Sequence, residues 1–165
     1  KLFKKAIDLG QKCCTAVSAE NVPIHLEFIS SKSGNLYPID FAVRGAGYRI
    51  FNYCLSKLLS HNSSDYQIKL QLNKSIKIKK INNIYFYLYF LTANKKKYLK
   101  KINLEFFENK KIKFRVFYNK KIGDLVLPPK STHDRVGVII FTFEKYSALK
   151  EKKKLIENYF KMIGY

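Results

Sequence analysis

Apolar residues along the chain recur first with helical and then with strand spacing. Intervals of three and four between Phe3 and Val17 predict a helix over about residues 3–19. Alternation of apolar and polar residues then predicts two strands over about residues 23–29 and 36–43, separated by the turn sequence SSKSGN. Two alternating strands joined by so short a turn are expected to pair as an antiparallel hairpin.

The remaining pattern predicts further helices and strands in mixed order. Helices are expected at about residues 48–60, 65–72 and 145–162, the second of them capped by Ser63 or Ser64. Strands are expected at about residues 76–81, 84–92, 101–107, 112–118 and 136–143. This order favours the α+β class, in which an antiparallel sheet is flanked by helices, and we expect a single subdomain over residues 1–165.

The composition supports a folded core but leaves the charge to be explained. Of the 165 residues, 47% are hydrophobic, which argues against a disordered chain. The net charge of +20 is typical of proteins that bind nucleic acids or anionic membranes, and Tyr85, Tyr87, Tyr89 and Tyr98, interleaved with lysines, could stack on bases. Two observations argue against that reading. Arginine, the residue suited to bidentate phosphate contacts, is rare beside lysine. The first three tyrosines also alternate within an apolar run typical of a buried strand.

Other classes of protein are excluded by what the sequence lacks. No apolar run approaches the roughly 18 residues that a membrane-spanning helix needs, and no secretory signal is recognisable. Three cysteines without metal-site spacing do not suggest a disulfide framework or a zinc site, so a cytoplasmic location is expected. The chain opens inside a predicted helix and without methionine, and we therefore expect a C-terminal part of a longer protein.

Two acidic residues face each other if the first two strands pair. With the turn centred in SSKSGN, Glu27 lies opposite Asp40, on the other face from four apolar residues (Leu26, Phe28, Ile39 and Phe41). Directly opposed carboxylates repel each other. A divalent cation held by hard oxygen ligands would relieve the repulsion, as would a neighbouring lysine, and the spacing leaves both open. His25 shares this face, where it could support a metal site or lie as an ordinary surface histidine.

The residues that follow the second strand suit an anionic ligand. Arg44 lies four residues after Asp40, on the same face of the strand by its period of two, and arginine pairs well with phosphate. Gly45 and Gly47 permit close backbone approach just before a predicted helix, whose N-terminus also favours anions.

These residues, in this order, resemble the ATP-grasp superfamily. The match runs through a helix, NVPIHLEFI, a turn, LYPIDFAVRGAG and a second helix. It is similar to the C-terminal half of an ATP-grasp domain, as in carbamoyl phosphate synthase large chains, biotin carboxylases and related carboxylate–amine ligases. The resemblance implies that Glu27 and Asp40 are metal ligands and that Arg44 contacts nucleotide phosphates or the reactive intermediate. Ala42 departs from the pattern, because the family often has an asparagine there as a further ligand.

The resemblance implies a C-terminal ATP-grasp subdomain and a ligase activity. Such enzymes use ATP and Mg²⁺ (or Mn²⁺) to activate a carboxylate as an acylphosphate, which an amine or similar nucleophile then attacks. In this chain Arg44, Gly45 and Gly47 would bind the nucleotide, and Arg44 would also act in catalysis. Many nucleotide-gripping groups of the family lie upstream, so the isolated chain is expected to be inactive without its missing N-terminal domains.

The expected partners are therefore ATP and a small carboxylate substrate, bound through the full-length protein, with homo-oligomerisation left open. Two other functions also stay open from the sequence. The chain could be a basic nucleic-acid-binding module, or a degenerate ATP-grasp domain without catalysis, which Ala42 allows.

Overall fold

The structure of the chain is a computed structural model that describes residues 2–78 and 80–165, and it consists of α-helices and antiparallel strands. Its contacts divide the chain into two compact units, Lys1–Asn82 and Asn83–Tyr165. This mixture confirms the α+β class with antiparallel sheets flanked by helices. The single subdomain over residues 1–165 stays a prediction.

The first unit contains a helix, a hairpin and a short helical region. Its elements are α1 (Leu2–Ala16), β1 (His25–Ser30), β2 (Leu36–Ala42), a π-helical segment (Ile50–Leu55), α2 (Ser56–Leu59) and α3 (Ser63–Gln71). The buried Gly10 of α1 lies against the hairpin, since a Cβ there would be 3.8 Å from the side chains of Ile24 and Leu26. Helix α1 and the hairpin therefore pack together.

The sequence predicted these elements closely, with two exceptions. The cap of α3 is Asn62, whose side chain accepts a hydrogen bond from the backbone N–H of Ser64 (3.0 Å); Ser63 is instead buried and bonded elsewhere. The strand predicted over 76–81 is wrong for its described residues, which exclude Lys79. Ile78 and Ile81 are more than half exposed, and no strand pairs with this segment in the described part of the chain.

The second unit is built on a three-stranded antiparallel sheet in the order β3–β7–β5. Its elements are β3 (Tyr85–Leu91), β4 (Lys97–Tyr98), α4 (Glu105–Asn109), β5 (Lys113–Tyr118), β6 (Leu125–Val126), a 3₁₀ turn (Thr132–Asp134), β7 (Gly137–Phe143) and α5 (Tyr146–Met162). The central strand β7 is buried along nearly its whole length, as its near-continuous apolar sequence predicts.

The strand predicted over 101–107 is wrong, because this segment contains a loop followed by α4. The side chain of Asn103 accepts a hydrogen bond from the backbone N–H of Glu105 (2.9 Å), which turns the chain into the helix. Phe107 is then completely buried against Phe141 and Phe160, with ring centroids 5.0 and 5.6 Å away. The apolar alternation in the sequence therefore reflects core packing by a loop and a helix.

The three tyrosines of β3 pack against α5. The hydroxyl of Tyr87 donates to Glu157 (2.8 Å), and the ring of Tyr89 stacks on Phe160 with centroids 4.4 Å apart. The ring of Tyr85 lies 5.6 Å from that of Tyr146. These three rings are engaged in the fold and are therefore not free to stack on bases, whereas Tyr98 is 68% exposed.

The cysteine thiols are unpaired, as expected from their number and spacing. Cys54 is buried in the π-helical segment, and this burial raises the pKa of its thiol to about 11. A thiol with so high a pKa stays protonated near neutral pH and acts as packing, not as a nucleophile. In the described ranges we also find no helix with the length and apolar content needed to cross a membrane.

Substitutions at a buried and an exposed position of α5 test which side chains form the core of the second unit. Replacing the fully buried Ile156 by alanine should lower the free energy of unfolding by about 2–5 kcal/mol, because it leaves a cavity. Met162→Ala on the same helix is the matched control: this side chain is 76% exposed, and its loss should cost less than about 0.5 kcal/mol. Urea unfolding followed by circular dichroism measures both, and equal losses would contradict this assignment of the core.

Candidate metal and phosphate site

The hairpin places the two predicted metal ligands directly opposite each other. Strands β1 and β2 pair antiparallel, and Glu27 is the partner of Asp40, which confirms the predicted register at this point. The register shifts by one residue just beyond the pair, so Ile39 has no direct partner and forms a β-bulge.

The structure corrects one expectation about the apolar face of the hairpin. Phe28 and Ile39 were expected to face the core, but they are 37% and 58% exposed. Their neighbours Ile29 and Tyr37 are also more than half exposed, so both faces of the hairpin are exposed at this end. Leu26, on the near side of the bulge, keeps its contact with α1.

The carboxylates lie on the exposed face of the hairpin, together with His25. The Nε2 atom of His25 is 3.1 Å from Oε1 of Glu27. One ligand atom from each of His25, Glu27 and Asp40 can be chosen so that all lie within 4.8 Å of one another. Cis ligands around an octahedral Mg²⁺ are about 3.0 Å apart and trans ligands about 4.2 Å apart, given bond lengths near 2.1 Å. The donor set therefore fits a small divalent cation after slight rotation of the exposed acids.

Arg44 follows the hairpin directly and is exposed. Its Nη1 donates a hydrogen bond to the carbonyl oxygen of Gly45 (3.0 Å), which holds the guanidinium over its own loop. The structure thus brings Glu27, Asp40 and His25 into one cluster and places Arg44 on the adjoining loop.

The two glycines of this loop have different surroundings. A Cβ on Gly45 would lie 2.4 Å from Cγ of Phe51, so the ring of Phe51 fills the space that any other residue would need. A Cβ on Gly47 would have no heavy atom within 4 Å. Both were predicted to contact nucleotide. The contact of Gly45 is with Phe51, whereas Gly47 is open to an incoming ligand.

The backbone after the glycines is strained, and a buried serine hydrogen-bonds to the segment that follows it. Tyr48 and Arg49 both have positive φ (50° and 67°), which is uncommon for such residues. Ser63 is only 2% exposed; its hydroxyl donates to the carbonyl oxygen of Phe51 (2.7 Å), and its oxygen lies 3.0 Å from that of Ser56. These bonds fix the π-helical segment, whose Phe51 ring in turn fixes the Arg44–Gly47 loop.

Sequence reasoning missed Phe51 and Ser63 as supports of the site. Phe51 was one apolar position in a predicted helix, and Ser63 was a candidate helix cap. Neither role leaves a local sequence signal, because each depends on a contact with a residue six or twelve positions away.

Known structures match this chain, although no protein-family model and no curated protein sequence does. An L-amino acid ligase from Bacillus licheniformis matches with a TM-score of 0.69 and 18% identity, over 94% of this chain and 40% of its own. A phosphoribosylglycinamide synthetase from Anaerococcus prevotii matches with a TM-score of 0.59 and 18% identity, over 95% of this chain and 40% of its own. Both are ATP-grasp enzymes.

The chain has an ATP-grasp fold. This confirms the fold expected from the resemblance of residues 22–47, and the match extends over nearly the whole chain. The chain spans only 40% of the length of these two ATP-grasp structures. The roles of Glu27, Asp40, Arg44, Gly45 and Gly47 stay predictions.

The different surroundings of the two glycines allow a test of whether the ring of Phe51 supports the Arg44–Gly47 loop. Gly45→Ala should lower the free energy of unfolding by about 1–3 kcal/mol, because the new methyl group displaces the ring of Phe51. Gly47→Ala is the matched control and should change it by less than about 0.5 kcal/mol, because space is open there. Urea unfolding measures both variants. A neutral Gly45→Ala would show that Phe51 does not support the loop.

Proposed function

We propose that this chain is the metal- and phosphate-binding part of an ATP-dependent ligase. The ligase activates a carboxylate as an acylphosphate, which an amine or similar nucleophile then attacks. The observation that carries the proposal is the cross-strand pair Glu27–Asp40, exposed on one face of a hairpin in an ATP-grasp fold. Opposed carboxylates are unfavourable alone, and a cation shared with ATP gives them a function.

Glu27 and Asp40 would hold the Mg²⁺ (or Mn²⁺) ion. When bound, the ion would neutralise negative charge on the phosphates of ATP. The carboxylates would orient it from two paired strands, and a site on paired strands is better fixed than one on loops. Ala42 offers no ligand atom in its side chain, so these two acids are the carboxylate ligands that β1 and β2 provide.

Arg44 would contact the transferring phosphoryl group or the acylphosphate. Its guanidinium can donate two parallel hydrogen bonds to phosphate oxygens and stabilise charge there as the phosphoryl group moves. Gly47, with open space at its Cα, would let phosphate oxygens approach the backbone. Gly45 would contribute indirectly, by admitting the ring of Phe51 that supports the loop.

The whole reaction would need more than this chain, since it spans 40% of the matched ligase and synthetase. We propose that further N-terminal domains supply the remaining nucleotide contacts and the site for a small carboxylate substrate. Among the ATP-grasp ligases, we propose that the protein is carbamoyl phosphate synthase-like. We also propose that it acts in the cytoplasm. The chain alone is then expected to lack ligase turnover.

Binding of Mn²⁺ tests the central part of the proposal. Glu27→Gln and Asp40→Asn should each weaken binding of Mn²⁺ to the chain by about tenfold or more, because each removes one charged ligand. Asp65→Asn is the matched control: Asp65 is exposed in the same unit but paired with His61, and its loss should leave binding unchanged. Isothermal titration calorimetry measures the affinities. Equal affinities in all four proteins, the unmodified chain included, would contradict the proposed site.

A further inference from the structure

The carboxylate pair has a nitrogen donor beside it. His25 lies two residues before Glu27 on β1, and its Nε2 is 3.1 Å from Oε1 of Glu27. That separation is close to the distance of about 3.0 Å between cis ligands on an octahedral divalent cation. A cation that bridges the two atoms would therefore need little rearrangement of either side chain.

The backbone also leaves room for His25 to take part. Its direct partner across the ladder is Ala42, whose methyl group is too short to cover the imidazole. The His25 side chain is 24% exposed, whereas that of Glu27 is 54% exposed. The imidazole is thus the more confined of the two donors, and a confined donor loses less conformational freedom when it binds an ion.

We propose that Nε2 of His25 is a third protein ligand of the metal held by Glu27 and Asp40. The proposal rests on the proposed function, because it takes the metal site as given and adds a residue to it. A neutral imidazole with its hydrogen on Nδ1 presents the Nε2 lone pair to the ion. Nitrogen ligands suit the later first-row transition metals such as Co²⁺, whereas Mg²⁺ prefers oxygen and Mn²⁺ lies between them. The site therefore favours Co²⁺ over Mg²⁺ more strongly than two carboxylates alone would.

Metal titrations of the chain separate a ligand from a positioning residue. His25→Gln should weaken Co²⁺ binding by about tenfold or more and Mg²⁺ binding by less than about threefold, with an intermediate loss for Mn²⁺, because the gain from a nitrogen ligand rises from Mg²⁺ through Mn²⁺ to Co²⁺. His61→Gln is the matched control, since His61 also contacts a carboxylate, with its Nε2 3.7 Å from Oδ2 of Asp65. This control should bind all three metals as the unmodified chain does.

Pulsed electron paramagnetic resonance of bound Mn²⁺ gives a second readout that does not depend on activity. The unmodified chain and His61→Gln should show modulation from a directly coordinated ¹⁴N nucleus, and His25→Gln should show none. If His25→Gln weakens all three metals equally and the unmodified chain shows no ¹⁴N modulation, His25 only orients Glu27 and this inference is overturned.

The Glu27→Gln and Asp40→Asn variants distinguish failure of this inference from failure of the proposed function. If both variants bind Mn²⁺ as well as the unmodified chain, there is no metal site on this face and both proposals fall. If both variants lose Mn²⁺ while His25→Gln keeps it, the carboxylate site stands and the histidine ligand is overturned.

Discussion

The pairing of β1 with β2 places two carboxylates directly opposite each other, and the rest of the hairpin has to be stable in spite of their repulsion. The ladder fixes Glu27 against Asp40, and neither side chain can move to another strand position to reduce the repulsion. The hairpin pairs in spite of it because Leu26 packs on α1 and the backbone ladder continues on both sides. In the proposed function, a cation would relieve this repulsion and use the pair as its binding site.

The supporting contacts lie behind the loop that follows the hairpin. Gly45 receives the ring of Phe51, and the carbonyl of Phe51 is held by the buried hydroxyl of Ser63. This sequence of contacts joins the start of α3 to the loop that carries Arg44. It also explains why a residue pair with positive φ, Tyr48 and Arg49, persists there: the surrounding contacts determine the backbone on both sides.

The sequence was sufficient for the pairing of Glu27 with Asp40 and for most elements, because those features are encoded by local spacing. Alternation over β1 and β2 predicted the Glu27–Asp40 pair, and the apolar run of β7 predicted a buried strand. It failed where long-range contacts decide. The bulge at Ile39, the helix that contains Phe107 and the role of Ser63 each depend on partners distant in the sequence. The tyrosines of β3, which together with the +20 charge suggested nucleic-acid binding, pack on α5.

Anomalous diffraction from crystals of the chain with Mn²⁺ and a non-hydrolysable ATP analogue tests the central claim most directly. Manganese scatters anomalously at its absorption edge, so its position is read without assumptions about the protein. The account predicts a manganese peak at coordination distance from one carboxylate oxygen of Glu27 and one of Asp40. Manganese bound elsewhere on the chain, with no peak between these two side chains, would contradict it.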